Sequence, residues 1–177
     1  MTLIDVETVR AARLGDKESF ASAYDQIAPE LYRVALYTLG NRHDAEDIVS
    51  ETFIEAYKGI KNLRDDANFK KWIFTILSVR CKRRIGGYIK ERKNIDIDEI
   101  SEMPDTLETQ SADCTDRVAV FTALDQISRQ ERLIVVLSVL QGYTTREISE
   151  ALGMPHGTVS SKLYRALKKL RSLLETA

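Results

Sequence analysis

Residues 143–171 read YTTREISEALGMPHGTVSSKLYRALKKLR, and the reading of this stretch decides the fold class. Thr144 and Glu147 stand three apart, the spacing of a capping box, so a helix can start at Thr145. Ile148, Ala151 and Leu152 make its inward face. Gly153 then offers a left-handed residue at the helix end, and Pro155 pre-sets the start of a second helix. In that helix Val159, Leu163, Ala166, Leu167 and Leu170 recur at helical spacing and form one apolar stripe. Ser160, Ser161, Lys162, Tyr164, Arg165, Lys168, Lys169 and Arg171 lie mostly off it. A short helix, a glycine turn and a longer basic helix are the layout of a helix-turn-helix, whose second helix enters the DNA major groove. The same pattern also fits a terminal amphipathic helix with a solvated basic face, so the choice rests on what lies upstream.

Immediately upstream, Val118, Val120, Phe121, Leu124 and Ile127 begin a helical stripe. Ser128 and Glu131 form another capping box. Leu133, Ile134, Val136, Leu137 and Leu140 follow, ending at Gly142, so four helices are predicted in this half of the chain. In the other half, a short helix carrying Val6, Val9, Arg10 and Arg13 ends at Gly15, and Asp16 can cap the next. Phe20, Ala23, Tyr24 and Ile27 face inward there. Pro29 is expected to break or restart that helix, because a mid-helix proline loses a hydrogen bond and clashes with the preceding turn. Leu31, Tyr32, Ala35, Leu36 and Leu39 carry the stripe on to Gly40 and Asn41. The most regular segment is 43–60, where Ala45, Ile48, Val49, Thr52, Phe53, Ala56 and Tyr57 share one helical face. Acids crowd its first turn, at the positive end of the helix dipole. A loop at 61–68 has no apolar period. Phe69, Trp72, Ile73, Ile76 and Leu77 then restart the stripe, Phe69 and Trp72 reading as core. The helix is expected to run through Arg84 and stop at Gly86-Gly87. No strand pattern and no repeat competes, so the expectation is an all-α chain. Its two small helical domains, 1–93 and 117–177, are joined by an acidic linker at 94–116.

The 177 residues are 44% hydrophobic and 30% charged, a globular composition. A net charge of −1 speaks against a simple basic nucleic-acid binder, but the charges are segregated. From Arg80 to Lys93 seven bases face one acid; from Asp96 to Asp116 eight acids have no base among them; from His156 to Arg171 five bases have no acid. Aromatics at 69 and 72 among Lys70, Lys71, Arg80, Lys82, Arg83 and Arg84 suggest a nucleic-acid surface.

Catalysis has little support. The two histidines, at 43 and 156, have no accompanying cluster of cysteines or paired carboxylates. No glycine motif could cradle a phosphate. His43 reads as an exposed residue at a helix start. Cys81 and Cys114 fit no metal-ligand spacing; free cytoplasmic thiols are the reading, with a disulfide left open. No apolar run nears the roughly 18 residues that span a bilayer. Met1 leads into Asp5 and Glu7 rather than a signal peptide. The expectation is a cytoplasmic protein without membrane insertion.

At this point the residues match a family. The pieces AxxYDxxAPxLYRxA, GNRHDAEDIVSETF and FKKWIFTI, from residues 19–76 or so, resemble region 2 of bacterial RNA polymerase sigma factors of the extracytoplasmic-function (ECF) group. TxREISEALGMPHGTVSSKLYRALKKL, within 123–173, resembles region 4 of the same group. The two stand in the family's order with a linker between them. A helix-turn-helix of this type also occurs in response regulators; it is the pair of matches that is specific.

The resemblance implies a subunit rather than an enzyme, with no cofactor and no catalytic residue. Its partners would be core RNA polymerase, promoter DNA and an anti-sigma factor, and it would be a monomer when free. The first domain would melt and recognise the −10 element and the second would read the −35 element as duplex. By matching position, Asp44, Asp47, Ser50 and Glu51 would dock on the polymerase clamp, Ser50 standing where the family usually has glutamine. The loop at 61–68 matches the family's specificity loop, which captures a flipped base. Leu63, Arg64, Asp65, Asp66 and Asn68 are its candidates, with Leu63 replacing the commoner phenylalanine. Ser78, Val79 and Arg83 stand near where the family often shows an Arg-Asn pair and a later Asp. Lys70, Lys71, Arg80, Lys82 and Arg83 are candidates for −10 backbone contacts, which position without specifying. For the −35 element, Ser160, Ser161, Tyr164 and Arg165 would face the groove, Ser160 replacing a frequent arginine. Arg165 bidentate to a guanine would be worth roughly 1–3 kcal/mol of discrimination. Lys162, Lys168, Lys169, Thr145 and Arg146 would contact phosphates. The acidic linker would follow a channel built for nucleic acid by imitating its charge, or serve as a soluble tether. The competing reading is a free-standing regulator that binds a palindrome alone, as a dimer.

Overall fold

The structure is a computed structural model that describes residues 4–94 and 114–175. Among the described residues there are eight α-helices and no strand. In order they are α1 (Val6–Arg13), α2 (Lys17–Leu39), α3 (Arg42–Gly59), α4 (Phe69–Asn94), α5 (Cys114–Asp125), α6 (Arg129–Val139), α7 (Thr145–Leu152) and α8 (His156–Leu174). Two 3-10 turns, Ile60–Asn62 and Asp66–Asn68, link α3 to α4.

Local chemistry sets most of the boundaries. Asp5, Asp16 and Asn41 each accept a backbone N–H at a helix start, supplying partners the first turn lacks. Both expected capping boxes are present: Ser128 with Glu131 opens α6, and Thr144 with Glu147 opens α7. Gly40 ends α2 at φ 69°, the left-handed region that favours glycine. A Cβ there would also lie 3.0 Å from Arg132 Nη1.

Two expected breaks do not occur. α2 runs unbroken through Pro29. Pro29 and Asp25 are exposed, so the carbonyl deprived of its partner N–H faces water, while Ile27 and Leu31 are fully buried on either side. α4 likewise continues through Gly86-Gly87 to Asn94. Each helical glycine costs roughly 0.5–1 kcal/mol against alanine. Here the flanking side chains are anchored to other helices. Ile85 is buried, Arg84 pairs with Asp44 at 2.9 Å, and Tyr88 packs under the Arg129 guanidinium at 4.3 Å. Of the linker expected at 94–116, residues 95–113 lie outside the described residues; Asn94 closes α4 and 114–116 open α5.

One contiguous apolar cluster joins the two halves. Phe20, Ile27, Leu31 and Leu39 of α2, Ile48 of α3, and Phe69, Ile73, Phe74 and Leu77 of α4 share it with Leu133, Ile134 and Leu137 of α6. Ile148 and Leu152 of α7 and Val159 of α8 extend it. α6 is therefore the hinge of the assembly, buried against α2 and α4 on one side and α8 on the other. A smaller cluster of Ala123, Leu124, Ile127, Val135, Ala166 and Leu170 ties α5 to α6 and α8. Arg132 is buried beside it and is compensated by Asp125 at 2.7 Å and by the Ile127 carbonyl. Burial pushes its pKa down, against the attraction of Asp125.

Candidate functional site

On α3 the acids recur three and four apart and face α4. Arg80 and Arg84, one turn apart on α4, reach back to them. Arg80 bonds Glu51 at 3.0 Å and Glu55 at 2.7 Å; Arg84 bonds Asp44 at 2.9 Å and approaches Asp47 at 3.8 Å. The Tyr88 hydroxyl donates to Asp44, and burial, then this carboxylate, raises its pKa. The Asp44 side chain is 18% exposed and that of Asp47 65%. Of the four residues expected to dock on a partner, Asp47 and Ser50 stand in solvent, Glu51 is half shared, and Asp44 is tied into the fold.

The 61–68 segment is more structured than a loop without period suggests. Leu63 is 7% exposed and belongs to the core, so it is not an open platform here. Asp65 caps the second 3-10 turn, accepting from Ala67 N at 3.0 Å and Asn68 Nδ2 at 2.6 Å. Asp66 is held by Arg13 of α1 at 2.6 Å, a bond that draws its carboxyl below the usual range. Arg64, Asp65 and Asn68 remain exposed. With Asn62, Leu63, Lys71, Trp72 and Thr75 they line an open hollow of about 380 Å³. Trp72, read from sequence as core, is half-buried and presents part of its ring to this hollow. Gly59 makes that placement possible, since a Cβ there would lie 3.3 Å from the indole.

The remaining α4 cations are mostly engaged. Lys70 bonds Glu30 at 2.8 Å and lies 5.8 Å from the Phe74 ring centroid. Lys71 bonds Glu147 of α7 at 2.5 Å, and Lys82 donates to the Leu152 carbonyl at the far end of α7. Arg83 is exposed. Glu147 also accepts from Thr144 N and Oγ1. The Lys71 bond, then those from Thr144, hold its carboxyl down at about 2. Tyr143 donates its hydroxyl to the Lys71 carbonyl at 3.1 Å, and burial pushes its phenol up to about 12.

The helix-turn-helix is built as its sequence predicts. Gly153 takes φ 56° after α7. Ser149 Oγ donates to the Met154 carbonyl at 2.6 Å, fixing the turn. Thr145 Oγ1 and His156 Nε2 lie 2.9 Å apart, joining the starts of α7 and α8. Val159, Ala166 and Leu170 face inward. Ser161, Tyr164, Arg165 and Lys168 recur along the outer face, with Tyr164 69% exposed. Arg165 Nε donates to the Ser161 carbonyl of its own helix, and its charge acts on Glu131 of α6. Lys169 turns to the Gln126 carbonyl. Ser160, Lys162 and Thr145 are half-buried and Arg146 is exposed.

This geometry coincides with two family models in tandem. Residues 23–87 match Sigma-70 region 2, and residues 117–170 match Sigma-70 region 4. The chain belongs to the sigma-70 family, in its ECF group. It is 29% identical to the ECF RNA polymerase sigma factor SigL of Mycobacterium tuberculosis over 170 residues, covering 94% of this chain and 95% of that protein. Against SigW of Bacillus subtilis the identity is 27%, with 98% of each chain covered. Against BldN of Streptomyces coelicolor it is 26%, covering 96% of this chain but 65% of the longer relative. In fold, the sigma factor resembles CnrH, solved with the cytosolic domain of CnrY, at a TM-score of 0.66 and 20% identity over 98% of this chain and 99% of that one. It also resembles RpoE of Bartonella quintana, solved with the anti-sigma factor NepR, at 0.63 and 24% over 89% and 98%.

Among the described residues no helix of this sigma factor is long and apolar enough to cross a membrane. None of their His, Cys, Asp and Glu groups could hold a metal ion. Cys81 is a buried free thiol, pushed up to about 12 by desolvation. Sequence reading missed Glu55, Arg84 and Tyr88 as members of the α3–α4 tie, and Trp72 as a wall of the hollow.

Proposed function

We propose that the chain binds core RNA polymerase and directs it to promoters by engaging a −10 and a −35 element. One observation carries this reading: region 2 and region 4 stand in one chain, in that order, each with a basic helix. Residues 1–93 would hold the polymerase and the −10 strand, 94–116 would link, and 117–177 would hold the −35 duplex. On α3, Asp47, Ser50 and the outward half of Glu51 are the docking groups, with Asp44 serving to hold α3 on α4.

At the −10 element, a flipped base enters the hollow beside Arg64, Asp65 and Asn68, and Trp72 supplies the stacking face that the buried Leu63 does not. A stacked base contributes about 1–3 kcal/mol, which offsets the few kcal/mol of unstacking. Asp66 shapes this wall through Arg13. Lys70, Lys71, Arg80, Lys82 and Arg83 supply charge to the backbone. At the −35 element, Arg165 with Ser160, Ser161 and Tyr164 read bases. Lys162, Lys168, Lys169, Thr145 and Arg146 meet phosphates. The chain is a cytoplasmic, non-enzymatic subunit that is a monomer when free. An anti-sigma factor is a natural further partner, as NepR is for the Bartonella protein.

Run-off transcription with purified core polymerase tests the reading. Promoter-specific transcripts should form only when the chain is added. Operator binding by the chain alone, with no effect on core polymerase, would favour the free-standing regulator instead.

A further inference from the structure

The 61–68 segment is held at two points, with base-facing residues between them. Between its two 3-10 turns the backbone is extended, Leu63 at φ −64°, ψ 120° and Asp65 at φ −140°, ψ 117°. At one end of this stretch Leu63 is packed into the core. At the other, Asp66 is gripped by Arg13, the last residue of α1. Arg13 Nε donates to Oδ1 at 2.6 Å and Nη2 to Oδ2 at 3.3 Å. A two-point bond of this kind fixes direction as well as distance. With side-chain exposures of 31% and 14%, the pair is only partly screened by water. Arg64 and Asp65, between the two anchors, line the open hollow, and Asp65 takes the Asn68 amide at 2.6 Å. Asp66 instead lines a separate notch with Ile4, Val9 and Phe69.

We propose that Arg13 is a positioning residue for base readout at the −10 element: by holding Asp66 it sets how Arg64, Asp65 and Asn68 meet the flipped base, without touching DNA itself. The proposal rests on the reading of the 61–68 hollow as the −10 base site. Polar groups discriminate between bases only when they are held within about 0.5 Å of the paired geometry. The segment's own backbone bonds, Leu63 N to the Ile60 carbonyl at 2.9 Å and Asn68 N to the Asp65 carbonyl at 3.0 Å, each close one short turn and leave Arg64 between them. The anchors outside the segment therefore set its position. α1 is suited to be one of them. Asp5 caps its start and Val9 and Ala12 are buried, so the guanidinium is delivered by a fixed helix. A lysine at 13 would keep the charge but lack the planar fork that matches a carboxylate. Arg10, on the same helix, approaches Glu7 at 3.9 Å and acts on Asp66 through space.

The test is run-off transcription with reconstituted holoenzyme on promoters varied one base at a time through the −10 and −35 elements. Arg13→Gln should lower discrimination at one −10 base by about two- to ten-fold, the range of a partly exposed pair and its coupling, and leave −35 discrimination unchanged. Arg13→Lys should recover part of the loss. Asp66→Asn should lose as much as Arg13→Gln, and the double variant no more than either, because both break one contact. Arg10→Gln removes a charge from the same helix and should leave both preferences as they are. Equal loss at the −10 and −35 elements in Arg13→Gln would overturn the proposal and leave a structural tie, as would a lower Tm with −10 discrimination intact. Additive losses in the double variant, or weaker binding to all sequences with a flatter salt dependence, would overturn it by placing Arg13 on a phosphate. Promoter-specific transcription by the wild type with no preference at any −10 base would refute the hollow reading and the proposal with it. A wild-type preference kept in Arg13→Gln would refute the role of Arg13 alone.

Discussion

α4 and α8 carry similar rows of lysine and arginine, yet the fold treats them oppositely. On α4 the cations meet the protein's own acids: Lys70 with Glu30, Lys71 with Glu147, Arg80 with Glu51 and Glu55, and Arg84 with Asp44 and Asp47. On α8 the ties are looser: Lys162 and Arg165 act on the Glu131 carboxylate of α6 through space, and Arg171 pairs with Glu175 one turn on. The acids that meet α4 come from α2, α3 and α7 and hold it within the fold, whereas Tyr164, Arg165 and Lys168 of α8 stay exposed.

The largest expected effect tests whether the two halves are one unit. Leu137 on α6 is fully buried in the shared cluster. Leu137→Ala should cost about 2–5 kcal/mol in urea denaturation, with region 2 and region 4 unfolding in one shifted transition. Two separate transitions, only one of them shifted, would break the picture of α6 as a joint hinge. Next in size, Arg165→Ala should lose roughly 1–3 kcal/mol of discrimination at one −35 position, whereas Lys168→Ala should weaken all sequences alike and flatten the salt dependence. Holoenzyme binding to promoter variants at several salt concentrations measures both, and equal losses for both variants would erase the distinction between base and phosphate contacts on α8.

On α4 the effects are smaller. A Cβ at Gly86 meets nothing within 4 Å, so Gly86→Ala should raise stability by about 0.5–1 kcal/mol. A loss in thermal unfolding would mean that the glycine is needed for its backbone. The smallest effect is the acid dependence of the Glu147 contact. Its folded pKa lies at about 2, below its ordinary 4.5. Its contribution is therefore complete above about pH 4.5 and is lost as pH falls toward 2. The difference in Tm between the wild type and E147Q should be constant near neutrality and shrink across that window. A difference independent of pH would remove the charge from the explanation.

What was legible in sequence was local. Thr144 with Glu147, Ser128 with Glu131 and Gly153 are read over a few residues, and each sits in the structure as read. What failed was where tertiary packing outweighs a local cost. Pro29 lies on the wet side of α2, and Gly86-Gly87 lie between the anchored Ile85 and Tyr88, so a penalty of about 1 kcal/mol per glycine, and more for the proline, is absorbed. The candidate site was legible in kind but not in pairing. That Arg80 and Arg84 turn to α3, Lys71 to α7, and Trp72 joins the largely buried Leu63 in lining the hollow depends on the register between helices. No single-helix period encodes that register.

Selection from a random double-stranded promoter pool, with and without core polymerase, tests the central claim most directly. The account predicts that holoenzyme recovers two elements at a fixed spacing, while the chain alone recovers no two-part site. A palindrome enriched by the chain alone, unchanged when polymerase is added, would contradict it.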